Sequence, residues 1–276
     1  MIMRRILTII IAAIMTACAT DPYVVVQVAD AQLGFTAADR SQREGTEYVN
    51  DLTYESECLA GAVAFINEIK PDAVVFTGDQ VNRPADEEQW NKFVELISAI
   101  DGSVKVFHVP GNHDVLISEG KVDTAPFAER FGEDRFVHVE RGVRLVGINS
   151  NLIKYNDPGE EGQKAWLDEA LEKSSSDEVS LIFTHHPFFL EDLDEDDGYF
   201  QIQKDKRQEY FDMFKDRGVN AVFAGHLHDS RAAVYQGIPM LTTTSAAFQL
   251  GKSKPSVRVI RVNGDLVSEE LVVIEP

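Results

Sequence analysis

The sequence predicts an α/β fold, a β-sandwich with helices outside, on three observations. Apolar, β-branched runs of strand length alternate with helical segments over the first hundred residues, and this order predicts parallel strands covered by helices. After residue 230 short strands follow one another without an intervening helix. The chain of 276 residues is 44% hydrophobic and 26% charged, which is a globular composition. We expect a single domain over residues 22–276.

Each element has a local signal. Strands are predicted at 23–29, 73–77, 104–109, 136–139, 143–148, 179–184, 219–224, 232–235, 239–243, 257–262 and 266–274. Helices are predicted at 55–70, 86–100, 160–173 and 206–215. Pro71 ends the first helix, and a turn at 141–142 joins two strands as a hairpin. The polar stretch 36–50 is predicted to be a long loop.

The charge balance limits the partners. The chain has 26 basic and 46 acidic residues, a formal charge of −20. Binding to a nucleic-acid backbone requires basic patches that displace counterions, so we expect no nucleic-acid partner. A phosphorylated substrate stays compatible with this charge when metal cations set the local field. The two cysteines cannot form a disulfide framework.

The N-terminus has the pattern of an export signal. Arg4 and Arg5 precede an apolar run at 6–15 that is shorter than the roughly 20 residues a membrane span needs. The residues Met15-Thr16-Ala17-Cys18 resemble a bacterial lipobox. We therefore expect a signal peptide at 1–17, a lipid-modified Cys18, and export to the bacterial cell envelope, on the periplasmic face of the outer membrane in a diderm source. An ordinary cleavable signal and an uncleaved anchor are the alternatives.

Polar, metal-binding residue types recur directly after predicted strands. Loops at the carboxyl ends of strands converge on one crevice in α/β sheets, so these residues are expected to meet. Oxygen and imidazole ligands without thiolate suit Mn, Fe, Zn or Mg. Six ligands exceed the needs of one catalytic ion and suffice for two, which can act together on a phosphoester. The five segments are Asp30-Ala31-Gln32, Gly78-Asp79, Gly111-Asn112-His113-Asp114, His185-His186-Pro187 and Gly225-His226-Leu227-His228.

In this order and spacing, the five segments resemble the calcineurin-like metallophosphoesterase superfamily over about residues 24–262. The stretches 29–34, 188–197 and 249–251 are similar to the calcineurin-like phosphoesterase domain containing protein 1 subgroup, whose members act as serine/threonine protein phosphatases. The resemblance implies a hydrolase acting on phosphoric esters. It also implies a four-layer α/β/β/α sandwich, with two mixed sheets packed face to face and helices outside.

The resemblance also implies residue roles. Asp79 would bridge two ions, either two divalent ions or Fe³⁺ with a divalent ion. Asp30 and His228 would hold the first ion, and Asn112, His185 and His226 the second. A metal-bound hydroxide would attack phosphorus. His113 would act on the leaving-group side, and Asp114 would orient the His113 ring.

Four further residues are candidates for the site. Gln32 stands where most of the superfamily has histidine, and a neutral amide is a weaker ligand than imidazole, so we expect the first metal site to be the weaker one. Asn82 occupies the position of the purple acid phosphatase tyrosine, so no coloured iron–tyrosinate centre is expected. Arg83 is a candidate for binding a phosphate oxygen, and His186 for contacting substrate.

These residues favour a phosphomonoesterase of the serine/threonine phosphatase type, acting on a phosphorylated small molecule or a phosphopeptide. A phosphodiesterase acting on cyclic nucleotides or glycerophosphodiesters is the alternative, because the same core performs both reactions. A catalytically weak, surface-tethered binding protein is a third interpretation. The metal identity and the oligomeric state stay open at this stage.

Overall fold

Two mixed β-sheets form the centre of the structure, a computed structural model that describes residues 21–173 and 175–274. The strands are β1 Tyr23–Val28, β2 Ala73–Thr77, β3 Lys105–Val109, β4 Leu116–Ser118, β5 Lys121–Asp123, β6 Phe136–Glu140, β7 Val143–Gly147, β8 Val179–Phe183, β9 Val219–Ala224, β10 Arg231–Tyr235, β11 Ile238–Thr242, β12 Ser256–Asn263 and β13 Leu266–Val273. The helices are α1 Phe35–Glu44, α2 Thr53–Ile69, α3 Glu87–Ile97, α4 Ala125–Phe131, α5 Ser150–Lys154, α6 Glu160–Ala170 and α7 Lys204–Asp216.

Each sheet contains one continuous set of parallel strands. The first sheet has the order β13-β12-β1-β2-β3, and the second β10-β11-β9-β8-β7-β6. Strands β1, β2 and β3 are parallel, with β3 at the edge of its sheet, and so are β7, β8, β9 and β11. Strands β6, β10, β12 and β13 pair antiparallel with their neighbours. Strands β4 and β5 form a separate two-stranded ribbon. The carboxyl ends of two parallel sets therefore define the edge at which ligands are expected.

Three hydrophobic clusters show the layering. The central cluster joins the inner faces of the two sheets, with Val25 and Val75 from the first sheet and Leu181 and Phe223 from the second. A second cluster packs the outer face of the first sheet against α2, α3 and α4. The third packs the outer face of the second sheet against α6 and α7. The predicted four-layer α/β/β/α sandwich is confirmed.

A buried polar bridge ties the two sheets together directly beneath the carboxyl edge. Gln27 of β1 donates to the Thr77 hydroxyl and to the Ala224 carbonyl oxygen of the other sheet, at 3.0 Å each. Its amide oxygen accepts from the Thr243 hydroxyl at 2.6 Å, and Arg258 donates to that same hydroxyl at 2.7 Å. Since buried polar groups are costly unless paired, this network sets the relative position of the sheets at this edge.

Most predicted elements are present with boundaries shifted by a few residues, but the loop predicted at 36–50 is wrong. Helix α1 occupies Phe35–Glu44, and Ala37 is its one buried residue. Its apolar residues are Phe35, Ala37 and Ala38, which are too few and too close together to reveal a helical repeat in the sequence. The sequence prediction also missed β4, β5, α4 and α5, which are all short.

The described part of the chain contains no helix that is both long and apolar enough to cross a membrane. The predicted signal peptide and Cys18 lie outside the described residues.

His108 of β3 provides a test of the fold through its aromatic surroundings. Its ring is stacked between Phe76 and Phe131, with centroid distances of 4.9 Å and 3.9 Å. Burial lowers the pKa of His108 to about 3. The unfolded chain, with an ordinary histidine pKa, binds more protons than the folded chain between pH 3 and 6.5, so stability is lost as the pH falls below about 6.5.

We expect the free energy of unfolding of the wild type to fall by about 2 kcal/mol more than that of His108→Phe between pH 7.5 and pH 5. Urea unfolding of both proteins in the presence of a chelator measures this difference. Equal losses in the two proteins would show that the ring is not held neutral by the fold.

Candidate metal centre

The five predicted segments meet at the common carboxyl edge of the two sheets. Main-chain hydrogen bonds hold the loops against each other. The Gln32 N–H donates to the backbone carbonyl oxygen of Asp79 at 2.8 Å, and the Gly225 N–H donates to the backbone carbonyl oxygen of His185 at 3.0 Å. Asp30 carboxylate oxygens accept from the His226 N–H at 3.1 Å and 2.9 Å, which joins one sheet to the other. Residues far apart in the chain are thus fixed in one cleft.

The backbone turns through the left-handed region at several of these side chains. The φ angles are positive at five non-glycine residues of the site, a conformation that L-residues rarely adopt and that costs free energy. Such turns re-aim a side chain directly after a strand ends. The five are Asp30 (51°), Gln32 (40°), Asp79 (50°), His226 (67°) and His228 (50°).

Two glycines permit the close approach of the loops. A Cβ at Gly111 would overlap the Asp79 carboxylate, and a Cβ at Gly78 would lie 2.6 Å from His185 Cγ and 2.7 Å from the Gly111 nitrogen. Gly78 also has a φ of +87°. Any larger residue at either position would displace a proposed metal ligand.

The densest group of ligand-type atoms surrounds His185 Nε2. This nitrogen lies 3.1 Å from Asn112 Oδ1, 3.1 Å from His226 Nδ1 and 3.3 Å from Asp79 Oδ2. The His185 side chain is fully buried, and the other side chains come from three further loops. Asp30, Asp79 and His185 also offer ligand atoms within 4.8 Å of one another. The side chains proposed for the second ion, together with the bridging carboxylate, therefore share one position.

The tautomer of His185 indicates that this position requires a positive charge. His185 Nδ1 lies 3.0 Å from the Thr77 carbonyl oxygen, which accepts a hydrogen bond and cannot donate one. With Nδ1 protonated, a neutral His185 points its Nε2 lone pair at the Asn112 and Asp79 oxygens. A proton or a metal cation at Nε2 relieves this contact. Although burial opposes it, the Asp79 carboxylate raises the pKa of His185 to about 9.

The same logic applies at the position proposed for the first ion. His228 Nδ1 lies 2.6 Å from the Phe248 carbonyl oxygen, so this nitrogen carries the proton and Nε2 the lone pair. His228 Nε2 faces Asp30 Oδ1 at 3.6 Å. A lone pair opposite a carboxylate oxygen again calls for a cation between them. Backbone carbonyls thus orient both histidines, as is usual for metal ligands.

Unpartnered buried atoms complete the test of fit. Gln32 Oε1, His186 Nε2 and His226 Nε2 are buried and make no hydrogen bond. Buried polar groups of this kind are rare without a ligand or water, and three of them border one cleft. The oxygen and nitrogen donor set suits a hard or borderline metal ion. The residues present therefore fit a metal centre.

Burial and the neighbouring imidazoles shift the pKa values of the Asp30 and Asp79 carboxylates in opposite directions. Burial raises the pKa of Asp30 to about 6, although His228 and His185 oppose this shift. Burial would also raise the pKa of Asp79, but His185 and His113 outweigh it and hold this pKa well below its ordinary value. Asp79 is therefore the carboxylate that stays ionised, as the predicted bridging role would require.

The Asp114 carboxylate contacts backbone amides in this structure and does not contact the His113 ring that the resemblance implies it would orient. It accepts from the backbone N–H groups of Gly111 (2.7 Å), Gln80 (2.8 Å) and Val81 (3.2 Å), and it makes no hydrogen bond with the His113 ring. His113 Nδ1 instead lies 2.9 Å from the Asn82 carbonyl oxygen. Asp114 fastens two loops to each other, and Asn82 orients His113 through its main chain, because the side chain that follows His113 turns into the protein.

The remaining candidates lie close to the cleft but differ in exposure. Arg83 is exposed, and its guanidinium lies 3.7 Å above the Tyr48 ring. His186 has no exposed surface, and its Nδ1 lies 2.9 Å from the Ser150 hydroxyl, so it does not reach substrate in this conformation. Its ring packs 4.4 Å from that of His226. His186 therefore packs against the proposed metal ligand His226 on its buried side.

Sequence reasoning missed the aromatic residues around the cleft. The ring centroid of Phe35 lies 5.7 Å from that of His228 and 4.7 Å from that of Phe248. The ring centroids of Tyr199 and Phe200 lie 5.2 Å and 5.5 Å from that of His226. Phe35 and Phe248 directly adjoin matched segments, so their position was a usable signal. Tyr199 lies in an irregular polar stretch and carried none.

A glycine substitution tests whether close loop approach builds the centre. In Gly111→Ala, the new methyl group would push the Asp79 carboxylate away, and we expect about 100-fold weaker metal binding, equivalent to nearly 3 kcal/mol. Gly102→Ala is the matched control, because a Cβ there meets no atom within 4 Å. Mn²⁺ titration by calorimetry measures both variants.

In the same titration, we expect the wild type to bind two ions with unequal affinity, because Gln32 offers a neutral ligand to the first site. Two ions of equal affinity would contradict the weaker first site. Unchanged binding in Gly111→Ala would contradict the proposed position of the centre.

Comparisons with known proteins agree with this geometry. The family model for calcineurin-like phosphoesterases matches residues 23–230. The human serine/threonine-protein phosphatase CPPED1 is 30% identical over 267 residues, which cover 89% of this chain and 82% of that protein. A probable glycerophosphodiester phosphodiesterase GpdQ from Arcobacter nitrofigilis is 26% identical over 201 residues, covering 70% of this chain and 71% of that protein.

Among solved structures, a dimetal phosphatase from Danio rerio superposes with a TM-score of 0.62 at 16% identity, over 92% of this chain and 100% of that chain. This similarity shows the fold. Together with the family match and the CPPED1 relatives, it establishes that the chain belongs to the calcineurin-like phosphoesterase family, in the CPPED1 subgroup, and is a hydrolase acting on phosphoric esters.

Proposed function

We propose that the chain is a phosphomonoesterase that works with two metal ions. The observation that carries this proposal is the group of lone-pair atoms around His185 Nε2, where Asn112, His226 and Asp79 converge within 3.3 Å. This buried site requires positive charge and opens on a cleft lined by aromatic rings. Such a site attracts the dianion of a phosphate monoester once cations are bound.

The ligand roles that we propose are those implied by the family resemblance, and the positions of the side chains support them. Asp79 would be shared by both ions, with Asp30 and His228 completing the first site and Asn112, His185 and His226 the second. Gln32 would offer its unpartnered Oε1 to the first site. Two bound ions lower the pKa of water toward neutrality and neutralise charge on the phosphoryl group. The protein contributes by holding these ligands rigidly in place.

His113 would serve the leaving group. The Asn82 carbonyl oxygen fixes the proton on Nδ1, so Nε2 is the nitrogen that exchanges a proton with substrate. The ring is partly exposed and lies 6.5 Å from Phe35. When the ring carries a second proton on Nε2, the imidazolium would give that proton to the departing oxygen and return to the neutral form protonated on Nδ1. This apparatus is unnecessary for binding alone, which favours an enzyme over a tethered binding protein.

Monoester hydrolysis is favoured over diester hydrolysis by the extent of the similarity. CPPED1 matches along 89% of this chain, and the GpdQ protein matches along 70%. The phosphodiesterase alternative, on cyclic nucleotides or glycerophosphodiesters, rests on that second similarity. The substrate proposed is a phosphorylated small molecule or a phosphopeptide.

A substrate panel tests the reaction. With Mn²⁺ present, we expect para-nitrophenyl phosphate to be hydrolysed at least about tenfold faster than its bis-ester, and Asp79→Asn to abolish both activities. We expect His113→Ala to lower kcat by about 100-fold with phenyl phosphate, the size of a lost general acid, and by less with para-nitrophenyl phosphate, whose leaving group needs little protonation. Faster turnover of the bis-ester would favour the phosphodiesterase. No turnover of any ester would favour the binding protein.

We further propose that the protein is exported and anchored through a lipid on Cys18. The support is the sequence pattern alone: two arginines, a short apolar run and a lipobox-like segment. In the cell envelope few phosphoproteins are available, so this location favours a small phosphate ester as substrate.

Metabolic labelling with a radioactive fatty acid in a bacterial host tests the anchor. We expect the wild type to be labelled and to partition into detergent, and Cys18→Ser to lose both properties. Cys58→Ser is the control, because Cys58 is buried in the fold and is not part of the lipobox-like segment. Label retained in Cys18→Ser would refute the anchor at this residue.

A further inference from the structure

Tyr199 combines high exposure with direct contact to the metal centre. Its residue surface is 63% exposed, yet its ring centroid lies only 5.2 Å from that of His226, with the planes inclined by 37°. An exposed tyrosine is usually free to move. Here it lies over a proposed metal ligand at the cleft mouth, so the segment that carries Tyr199 must be held in place by other contacts.

Two buried cations clamp that segment, which links β8 to α7. Lys154 Nζ donates to the Gly198 and Gln201 carbonyl oxygens at 2.8 Å and 2.5 Å. Arg207 is fully buried and donates to the Ile202 carbonyl oxygen at 2.8 Å. It also reaches the Leu193 and Glu195 carbonyl oxygens, at 3.0 Å and 2.7 Å. Tyr199 is therefore flanked on both sides by fixed backbone.

The acidic run at 191–197 contributes to the same clamp. Glu195 accepts from the Leu190 and Glu191 N–H groups at 2.8 Å and 2.9 Å, and Asp197 accepts from the Lys204 N–H at 2.6 Å. These carboxylates satisfy the amides of their own loop, so part of the negative charge is used internally. The sequence stretch that reads as a charged surface is in part a self-capped turn.

The ring of Tyr199 lies beside the second metal position. His226, against which it packs, places its Nδ1 3.1 Å from His185 Nε2, and Asn112 Oδ1 lies 3.1 Å from the same nitrogen. Within the described residues no side chain or backbone group hydrogen-bonds the Tyr199 phenol, so its proton is free to donate to a ligand. A phosphate oxygen bound beside His226 is such an acceptor.

We propose that Tyr199 binds substrate by donating its phenol proton to a non-bridging phosphate oxygen at the second metal position. The loop clamped by Lys154 and Arg207 holds the phenol there before substrate arrives, so little ordering is required on binding. This inference rests on the proposed function for the identity of the ligand. Under this inference, Tyr199 contacts the charged phosphate oxygen, and the two nearby arginines do not. Arg83 packs on the Tyr48 ring, and Arg231 pairs with Glu191 at 3.2 Å.

Phosphate binding to the Tyr199→Phe variant tests the inference without depending on turnover. The Mn²⁺-loaded protein is titrated with inorganic phosphate by calorimetry. We expect the dissociation constant to rise about tenfold, as for a lost hydrogen bond to a charged group. Metal stoichiometry is expected to stay at the wild-type value, because Phe keeps the ring against His226. Tyr235→Phe, which removes a hydroxyl bonded to Gln208, is the control and should bind phosphate as the wild type does.

A second variant, Lys154→Met, removes the clamp and leaves Tyr199 in place. We expect it to weaken phosphate binding in the same direction, whereas Lys154→Arg is expected to restore part of the affinity. Wild-type phosphate affinity in Tyr199→Phe would overturn the inference even if esters are hydrolysed. If the wild type hydrolyses no ester but its phosphate binding still depends on Tyr199, the proposed function is refuted. The contact between Tyr199 and phosphate is then still supported.

Discussion

In the cleft, buried imidazole lone pairs lie against buried carboxylate and amide oxygens, a contact that is favourable only when a cation is present between them. His185 and His228 each direct a protonated Nδ1 at a backbone carbonyl oxygen, so each presents an unprotonated Nε2 to acidic or amide oxygens. The His185, His228, Asp30 and Asp79 side chains are buried, so bulk solvent does not screen these contacts. A positive charge between them, either a proton on His185 or metal ions, stabilises the arrangement.

Such a site is costly to build, and the fold supplies the support. Loop residues adopt left-handed backbone conformations, and a glycine at position 111 lets the Asp79 carboxylate approach a neighbouring loop. The Gln27 bridge joins the two sheets immediately below. Asp114 adds a third anchor by collecting amide groups from two loops. The free-energy cost of the left-handed backbone at the proposed ligands is therefore offset by the buried hydrogen bonds of Gln27 and Asp114 beneath the cleft.

Around this centre, the mouth of the cleft is aromatic rather than basic. Phe35 and Phe248 adjoin His228, while Tyr199 and Phe200 adjoin His226. A strongly acidic chain has little free positive charge with which to attract a phosphate ester, so the bound ions would carry that task. The side chains that line the mouth are then left to orient the ester and to exclude water from it. Fold similarity alone does not reveal which ester this is, because function resides in the details of the site.

The parallel strands could be predicted from the sequence alone, because buried strands have a local apolar pattern. The four layers were implied by the resemblance to a known family, and the candidate ligand segments were recognised because they directly follow predicted strand ends. The folded structure was needed to show that Asp114 accepts hydrogen bonds from backbone amides, that the Asn82 carbonyl oxygen orients His113, and that residues 35–44 form a helix. It alone placed Tyr199 against His226, since that contact depends on buried Lys154 and Arg207 holding a loop with no periodic pattern. Local composition encodes elements, whereas contacts between distant loops arise only when the sheets are packed.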